Sequence, residues 1–312
     1  MFLCVCTYGG TMGLFLFKDV DSHYKVKFLG VKFSIRHKCK FKYKKAENWG
    51  LNDKEERNPK IIISLTSFPK RIKTVHLAIN TLLRQTMKPD KIILWLSNEE
   101  FQNGENDLPN ELIELKKLGL EIMWCNNLGS YKKLVPALKM FPNDIIITAD
   151  DDIYYDENLV SDLYASYLEN KNCIIAKRVC KVSLKENILS AKKLEEKENS
   201  KPDFKNLIMG GAGCLFPPNS LHKDVFDKEK ILNLIPTHDD IYFWAMAVIN
   251  NKKIKIAQTK DFNIYTIDGT QKFGLCKINK KGKCGMCPNI AFEKIAKEYP
   301  ILYKKIESAK NA

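Results

Sequence analysis

The 312-residue sequence lacks features that would assign it to several large classes of protein. It contains no apolar stretch of 18 residues, which excludes a conventional transmembrane helix. It has no internal repeat at the periods typical of solenoid proteins. Its ten cysteines are irregularly spaced, unlike a secreted disulfide framework, so we expect reduced thiols in a cytoplasmic compartment. With 45% hydrophobic and 28% charged residues, the composition is that of a globular protein rather than a disordered one.

Acidic residues are missing from Lys25 to Lys45, a stretch that holds nine Lys and Arg residues and much of the net charge of +14. Such a patch suits an anionic membrane surface, nucleic acid or acidic substrates. Across residues 24–43 basic and apolar residues alternate around Leu29-Gly30, which predicts a hairpin with one basic and one apolar face. This hairpin either contacts membrane or packs, solvated, on the rest of the protein. We expect residues 1–59 to form a basic extension ending in a polar linker.

Strands and helices are predicted to alternate from Lys60 onward. The predicted strands cover 61–65, 92–96, 120–125, 144–149, 214–216 and 253–257. Alternation with helices indicates an α/β domain with a mostly parallel sheet, here over residues 60–267, and ligands bind beyond the carboxyl ends of such strands. Residues 181–206 are polar and are interpreted as a loop or loose helix, either a lid or disordered. We assign residues 268–312 to a basic, cysteine-containing tail with a helix.

Three aspartates, Asp150-Asp151-Asp152, directly follow an apolar predicted strand. Adjacent carboxylates repel one another unless a cation neutralises them. Mg²⁺ and Mn²⁺ are commonly held by one or two carboxylates together with phosphate oxygens. The triplet therefore indicates a metal–diphosphate site, and the alternative is a solvated acidic turn that caps the following helix.

Three further groups of residues are candidates for the same site. Asp239-Asp240 opens a predicted helix, where one carboxylate could cap the helix and the other could act as a general base. The glycines in Gly210-Gly211-Ala212-Gly213 either let the backbone approach a ligand closely or form a structural turn. Phosphate contacts are expected from three basic residues: Arg71, Lys132 and Lys133.

Other residues carry weaker signals. Cys284 and Cys287, with Cys276 nearby, resemble half of a zinc site, but no fourth ligand is evident and free thiols are favoured. Trp244 is a candidate for stacking on a sugar ring, whereas Trp95 lies within a predicted strand and is assigned to the core.

Taken together, six ordered segments resemble bacterial glycosyltransferases of the GT-A fold, close to the family-2-like enzymes that build surface polysaccharide or lipopolysaccharide. The segments are ISLTSFPKRI (63–72), LRQTMKPDKIILWLS (83–97), YKKLVPAL (131–138), IIITADDDIYY (145–155), GGAGCLFPP (210–218) and HDDIYFWAMA (238–247). The resemblance covers about residues 60–257. The second acidic motif is His-Asp-Asp where Glu-Asp is commoner, and no histidine follows His238 to serve as the C-terminal metal ligand of many relatives.

The resemblance implies a role for each matching position. The D-x-D motif, here Asp150, Asp151 and Asp152, would bind a divalent cation (Mn²⁺ or Mg²⁺) and the nucleotide diphosphate, with Asp150 and Asp152 as metal ligands. The loop after the first strand of the domain would contact the nucleoside through Thr66, Ser67 and Arg71. Gly210, Gly211 and Gly213 would border donor and acceptor. Asp240 would be the base of an inverting reaction, with Asp239 as the second choice.

The expected activity is therefore hexosyltransferase-like: transfer of a sugar from a nucleotide-sugar donor to a glycan or lipid-linked acceptor. The expected location is the cytoplasm, peripheral at the inner face of the cytoplasmic membrane. Two alternatives remain. A sugar nucleotidyltransferase also pairs acidic residues with a metal, although no Gly-rich nucleotide loop follows the first strand of the domain. A nucleic-acid-binding protein would use the basic patch and bind with steep salt dependence, although we expect no nucleic-acid partner.

Overall fold

The computed structural model describes residues 49–193, 201–259, 263–275, 279 and 287–309, together with the backbone of three strands nearer the N-terminus. In chain order the strands are β1 (Phe15–Asp19), β2 (His23–Phe28), β3 (Val31–Arg36), β4 (Ile61–Thr66), β5 (Lys91–Ser97), β6 (Leu120–Cys125), β7 (Ile145–Thr148), β8 (Ile153–Tyr154), β9 (Ile174–Ala176), β10 (Val179–Lys185), β11 (Ile188–Lys193), β12 (Asn206–Ile208), β13 (Cys214–Phe216), β14 (Ile254–Ile256) and β15 (Tyr265–Thr266). The α-helices are α1 (Val75–Leu82), α2 (Asn110–Glu114), α3 (Val135–Met140), α4 (Leu159–Glu169), α5 (Lys228–Leu234), α6 (Asp239–Ile249), α7 (Pro288–Glu298) and α8 (Ile301–Ser308).

The N-terminal strands form an antiparallel sheet in the order β1-β2-β3. Strands β2 and β3 pair with Phe28 opposite Val31 and His23 opposite Arg36, which confirms the predicted hairpin. Strand β1 was not predicted from the sequence. The predicted basic and apolar faces depend on side chains outside the described residues.

A seven-stranded sheet in the order β14-β9-β13-β7-β4-β5-β6 forms the centre of the domain. Strand β13 runs antiparallel to both of its neighbours, and the other pairings are parallel. The prediction of an α/β fold with a mostly parallel sheet flanked by helices is confirmed. The last predicted strand corresponds to β14, while β9 and helix α4 were missed.

Both faces of this sheet are buried, which explains the continuous apolar runs of its strands. In β4, Ile62 faces one hydrophobic cluster while Ile61 and Ile63 face the other. Helices α3, α5 and α6 contribute to the cluster around Ile62, and helices α1, α2 and α4 to the opposite one. The sheet is therefore the middle layer of three.

A second small sheet, in the order β11-β10-β12, shows that the prediction for residues 181–206 was wrong in part. Strands β10 and β11 form a hairpin whose turn residues, Glu186 and Asn187, both have positive φ (48° and 60°). Val182 and Leu184 are buried in the core, whereas Lys181 and Lys185 alternate with them. The frequent lysines hid this period of two. Residues 194–200, on which the lid hypothesis also depends, lie outside the described residues.

The C-terminal helices pack on the domain rather than extending from it. The sequence predicted one amphipathic helix here, and the structure has two, α7 and α8. Phe292 of α7 meets Trp244 of α6 edge to face, with ring centroids 5.7 Å apart. Leu302 and Ile306 of α8 are fully buried in the same cluster. Among the described residues, no helix has the length and apolar character needed to cross a membrane.

Candidate functional site

The three aspartates lie at the carboxyl edge of the sheet, as predicted. Strand β7 pairs in parallel with β4, with Thr148 opposite Ser64, so both strands end at the same edge. The amide of Ala149 extends the pairing by donating to the carbonyl oxygen of Ser64 at 3.0 Å. Asp150 follows at once and begins the turn beyond the sheet.

Asp151 and Asp152 are held by the loop that follows β4. The Ser67 hydroxyl donates to Oδ2 of Asp151 at 2.6 Å. The Arg71 guanidinium bridges both carboxylates, with Nη1 at 2.7 Å from Asp151 Oδ1 and Nη2 at 2.9 Å from Asp152 Oδ2. Gln271 donates to the same oxygen of Asp152 at 2.8 Å. Ser67 and Arg71 therefore belong to the site, where they orient two of the aspartates.

Asp150 is held against the glycine loop by Tyr155. The Asp150 amide donates to the Tyr155 hydroxyl at 2.6 Å, and that hydroxyl donates to the carbonyl oxygen of Gly211 at 2.9 Å. A Cβ atom at Gly211 would lie 2.4 Å from Oδ2 of Asp150. Because such a distance is sterically forbidden, only glycine lets the loop approach this carboxylate so closely.

Lys133 connects the aspartate triplet to the second acidic motif. Its Nζ lies 2.8 Å from Oδ1 of Asp150 and 2.9 Å from Oδ2 of Asp239. The contact with Asp239 is an ion pair that lacks hydrogen-bond geometry. Burial by itself would lower the pKa of Lys133, but Asp150, Asp239 and Asp240 together raise it well above its ordinary value. Lys133 is therefore a permanent positive charge between the two motifs.

Asp240 is the more exposed residue of the second motif. Asp239 is buried, whereas Asp240 is partly exposed. Oδ1 of Asp240 accepts a hydrogen bond from the Gly210 amide at 3.0 Å. Burial, followed by the negative charges of Asp239 and Asp150, raises the pKa of Asp240 to about 7, against the opposing effect of Lys133. Such a carboxylate is well matched to accepting a proton near neutral pH.

The carboxylates of Asp150 and Asp152 fit a hard divalent cation. The Asp150 side chain is 33% exposed and so is open to a ligand from outside. Burial and the nearby charge of Asp150 raise the pKa of Asp152 to about 6, in spite of Arg71. This is the behaviour of two carboxylates that share a site with too little positive charge. The described residues contain no group of three His, Cys, Asp or Glu side chains able to hold a metal. A Mn²⁺ or Mg²⁺ ion held by Asp150 and Asp152 could take phosphate oxygens as further ligands.

Other predicted residues are placed where their side chains have structural partners. Thr66 donates to the carbonyl oxygen of Trp95 at 2.8 Å. Lys132 is buried and pairs with Glu100 at 2.5 Å, apart from its neighbour Lys133. Gly213 has a φ of 105°, and a Cβ there would lie 2.6 Å from Leu159. The structure thus favours a structural turn at Gly213 and gives close approach to the site only at Gly210 and Gly211.

The two weaker sequence signals have different outcomes. Trp244 is fully buried, and its indole nitrogen donates to the carbonyl oxygen of Phe204 at 2.7 Å, so this candidate for stacking on a sugar ring belongs to the core instead. Its position in the core of α6 follows from packing against α7. Cys287 forms no disulfide bond, and Cys276 and Cys284 lie outside the described residues, so the choice between a zinc site and free thiols stays a prediction.

Sequence reasoning missed two residues of the site, Tyr155 and Gln271. Tyr155 lies only five positions beyond Asp150, but a tyrosine after an acidic run does not by itself indicate a functional residue. Gln271 comes from the short 3₁₀ turn Thr270–Phe273, far along the chain from Asp152. The amide of Ile267 donates to the carbonyl oxygen of Asp152 at 2.8 Å and brings this turn to the site.

The chain is similar to solved structures of proteins with which it shares little sequence identity. No protein-family model and no curated protein sequence matches the chain. The chain is similar to TarS 1–349 of S. aureus, with 13% identity and a TM-score of 0.44 over 70% of this chain and 64% of that one. It is also similar to GalNAc-T7 solved with UDP, GalNAc and Mn²⁺, with 10% identity and a TM-score of 0.44 over 69% of this chain and 45% of that one. The chain spans less than two thirds of the length of either structure, and at these TM-scores the likeness is too distant to bear on the chemistry.

Proposed function

We propose that the protein transfers a sugar from a nucleotide-sugar donor to a glycan or lipid-linked acceptor, with the help of a divalent cation. The observation that carries this proposal is the bridging position of Lys133 between Asp150 and Asp239. Through these contacts the aspartate triplet and the second acidic motif lie close together, although they are far apart in the sequence. A site of this kind combines groups that can bind a diphosphate with a carboxylate that can accept the proton of a hydroxyl group.

The donor's diphosphate would lie at the triplet. Asp150 and Asp152 would hold Mn²⁺ or Mg²⁺, which supplies charge neutralisation to a departing diphosphate when it is bound. Lys133 offers a fixed positive charge beside Asp150, in a site where burial strengthens electrostatic interactions. Arg71 and Ser67 keep Asp151 and Asp152 in place, and Gln271 restrains Asp152 further.

The acceptor hydroxyl would lie beside Asp240. As the hydroxyl oxygen forms its bond to the anomeric carbon, the carboxylate of Asp240 takes the hydroxyl proton. The bond from that carbon to the diphosphate breaks at the same time, and the nucleoside diphosphate leaves with the electron pair. Attack from the side opposite to the leaving group inverts the anomeric carbon. Asp239 is less suited to this role because it is buried against Lys133.

We further propose that the protein works at the inner face of the cytoplasmic membrane in the synthesis of cell-surface polysaccharide. The support is the basic stretch from Lys25 to Lys45, which contains nine Lys and Arg residues and no acidic residue. Near an anionic leaflet each basic residue contributes about 1 kcal/mol of attraction, and the effect decays within a Debye length. Such binding would be peripheral and reversible, close to lipid-linked acceptors.

A screen of sugar nucleotides tests the proposed activity. The full-length protein is incubated with each donor and with Mn²⁺ or Mg²⁺, and release of the nucleoside diphosphate is measured. At least one donor should be turned over, and Asp240→Asn should reduce the rate under the same conditions. Parallel reactions with nucleoside triphosphates and sugar 1-phosphates test the nucleotidyltransferase alternative. Pyrophosphate release there, without turnover of any sugar nucleotide, would overturn the proposal.

A further inference from the structure

Arg178 is a half-buried cation between β9 and β10. Within the described part of the chain, its side chain forms no ion pair, hydrogen bond or ring contact. The other arginines whose side chains are described all have partners, namely Asp90 for Arg57, Asp151 and Asp152 for Arg71, and Trp49 for Arg84. Partial burial weakens the hydration of a charged group, and proteins usually compensate for this with a counter-charge. A bound anion would supply that counter-charge at Arg178.

The register of the central sheet places Arg178 at the same edge as Asp150. Ala176, the last residue of β9, is opposite Cys214 of β13, which is in turn opposite Thr148, the last residue of β7. Arg178 and Asp150 each lie two residues beyond these strand ends. Since neighbouring strands are about 4.8 Å apart, the two strand ends are separated by roughly 10 Å. Arg178 therefore lies at the rim of the candidate site.

Main-chain hydrogen bonds hold Arg178 beside the glycine loop. The Met209 amide donates to the carbonyl oxygen of Arg178 at 3.1 Å. Met209 directly precedes Gly210, and consecutive Cα atoms are about 3.8 Å apart. The Gly210 amide in turn donates to Oδ1 of Asp240 at 3.0 Å. Arg178 therefore borders the end of the loop that contacts the second acidic motif.

The unpaired guanidinium of Arg178 suits an oxyanion. A guanidinium presents its N–H donors in one plane and binds a carboxylate or a phosphate through two parallel hydrogen bonds. The diphosphate of the donor would lie at Asp150 and Asp152, whereas Arg178 borders the end of the site where the acceptor hydroxyl would meet Asp240.

We propose that Arg178 binds a phosphate or carboxylate group of the acceptor, so that the protein selects acidic acceptors. The carboxylates of Asp239 and Asp240 would repel such an acceptor, and the charge of Arg178 offsets this repulsion. The identity of the bound molecule as the acceptor rests on the proposed function, whereas anion binding by Arg178 does not.

Ligand-observed NMR of the full-length protein tests anion binding without any transfer reaction. The probes are methyl phosphate and acetate, which separate phosphate from carboxylate, and methanol is the neutral control. At least one anion should bind saturably, and methanol should not. Arg178→Gln should weaken this binding by about tenfold or more, because two charge-assisted hydrogen bonds are lost. Arg178→Lys keeps the charge without the planar donors and should bind with intermediate affinity.

Two matched variants show whether the effect belongs to Arg178. Arg84→Gln also removes a half-buried guanidinium, in the connection from α1 back to the start of β5, and should leave binding unchanged. Glu195→Gln/Glu196→Gln removes two carboxylates that follow β11 in the sequence, and it should also have no effect. Saturable binding by neither anion, or equal affinity in Arg178→Gln, would overturn the proposal. Tighter binding in the Glu195/Glu196 variant would also overturn it, because Arg178 would then have a partner in this chain.

Acceptor kinetics connect Arg178 to transfer. With the donor identified by the screen, rates are measured with the methyl glycoside, the uronate and the 6-phosphate of the same sugar, over several sugars. The wild type should prefer an acidic form, and Arg178→Gln should raise the KM for that acceptor by about tenfold or more while the donor KM stays the same. A preference for the neutral forms, or an increase confined to the donor KM, would contradict the proposal. Turnover of no sugar nucleotide would instead contradict the proposed function, and the NMR titration would still decide whether Arg178 binds an anion.

Discussion

Gly211 and Asp150 are so close that a Cβ atom at Gly211 would lie 2.4 Å from Oδ2 of Asp150. Gly211→Ala should therefore displace this carboxylate while leaving the fold intact. Displacement of a reacting or binding group by about 1 Å can cost on the order of 10²-fold in rate, and we expect a loss of that size. The measurement is the rate of nucleoside diphosphate release at saturating donor, together with the melting temperature.

The matched control is Gly104→Ala. Gly104 has a φ of 61°, and a Cβ there would meet no atom within 4 Å. This variant should lose stability through backbone strain by about 1 kcal/mol but keep its activity. Full activity in Gly211→Ala would show that the position of Asp150 does not matter for turnover.

Asp239 and Asp240 should respond differently to the same substitution. Asp240→Asn should keep donor affinity near normal and lower the transfer rate by roughly 10²–10⁴-fold, because it removes the base. Asp239→Asn should lower the free energy of unfolding by about 3 kcal/mol, because it takes a partner from the buried Lys133. Denaturant unfolding and steady-state kinetics on both variants separate the two effects. An inactive Asp239→Asn beside a fully active Asp240→Asn would reverse the assigned roles.

The pH dependence of transfer should follow the titration of Asp240. A general base acts as the carboxylate, and burial together with Asp239 raises the pKa of Asp240 to about 7. The rate should therefore rise as pH increases through about 7, and it should fall by about tenfold per pH unit well below that value. The readout is a pH profile at saturating metal and donor, with Asp240→Asn as the control. The same pH step in the residual activity of Asp240→Asn would assign the titration to another group.

Membrane binding should depend on the basic extension. In the full-length protein, replacing Lys38, Lys40, Lys42 and Lys44 by glutamine should reduce binding to anionic vesicles by about tenfold or more, given about 1 kcal/mol per charge. Flotation with anionic and neutral vesicles, at low and high salt, measures this. The control variant replaces four exposed lysines elsewhere: Lys116, Lys117, Lys139 and Lys294. Recovery of the wild type in the soluble fraction with anionic vesicles at low salt would contradict the proposed membrane binding.

Much of the central sheet could be predicted because its strands are buried on both faces. Ile61–Leu65 and Ile145–Thr148 are short apolar runs between polar segments. Because parallel strands end at the same edge of a sheet, their pairing predicted that both end together. The same logic placed Asp150 and Asp152 at the carboxyl edge of the sheet, the edge at which ligands bind in such folds. Strands with one exposed face were harder to predict from the sequence. In β10, lysines alternate with buried residues such as Val182 and Leu184.

The contacts within the site could be predicted far less well. Lys132 and Lys133 are equivalent in sequence, yet only Lys133 reaches the aspartates, because a 3₁₀ turn over Gly129–Lys133 points successive side chains in different directions. Gln271 meets Asp152 through a tertiary contact across the chain that no local pattern encodes. Trp244 was a candidate for sugar stacking because the sequence alone does not show whether an aromatic residue on a helix faces a ligand or another helix.

The role of the aspartate triplet is tested most directly by the metal dependence of turnover in the wild type and in Asp152→Ala. With the donor identified by the screen, nucleoside diphosphate release is measured across a titration of Mn²⁺ and Mg²⁺ and in excess EDTA. Asp53→Ala, which removes an exposed aspartate elsewhere, is the matched control. The account predicts saturable activation by metal, no turnover in EDTA, and no turnover in Asp152→Ala, with Asp53→Ala unaffected. Full activity in EDTA or in Asp152→Ala would contradict it.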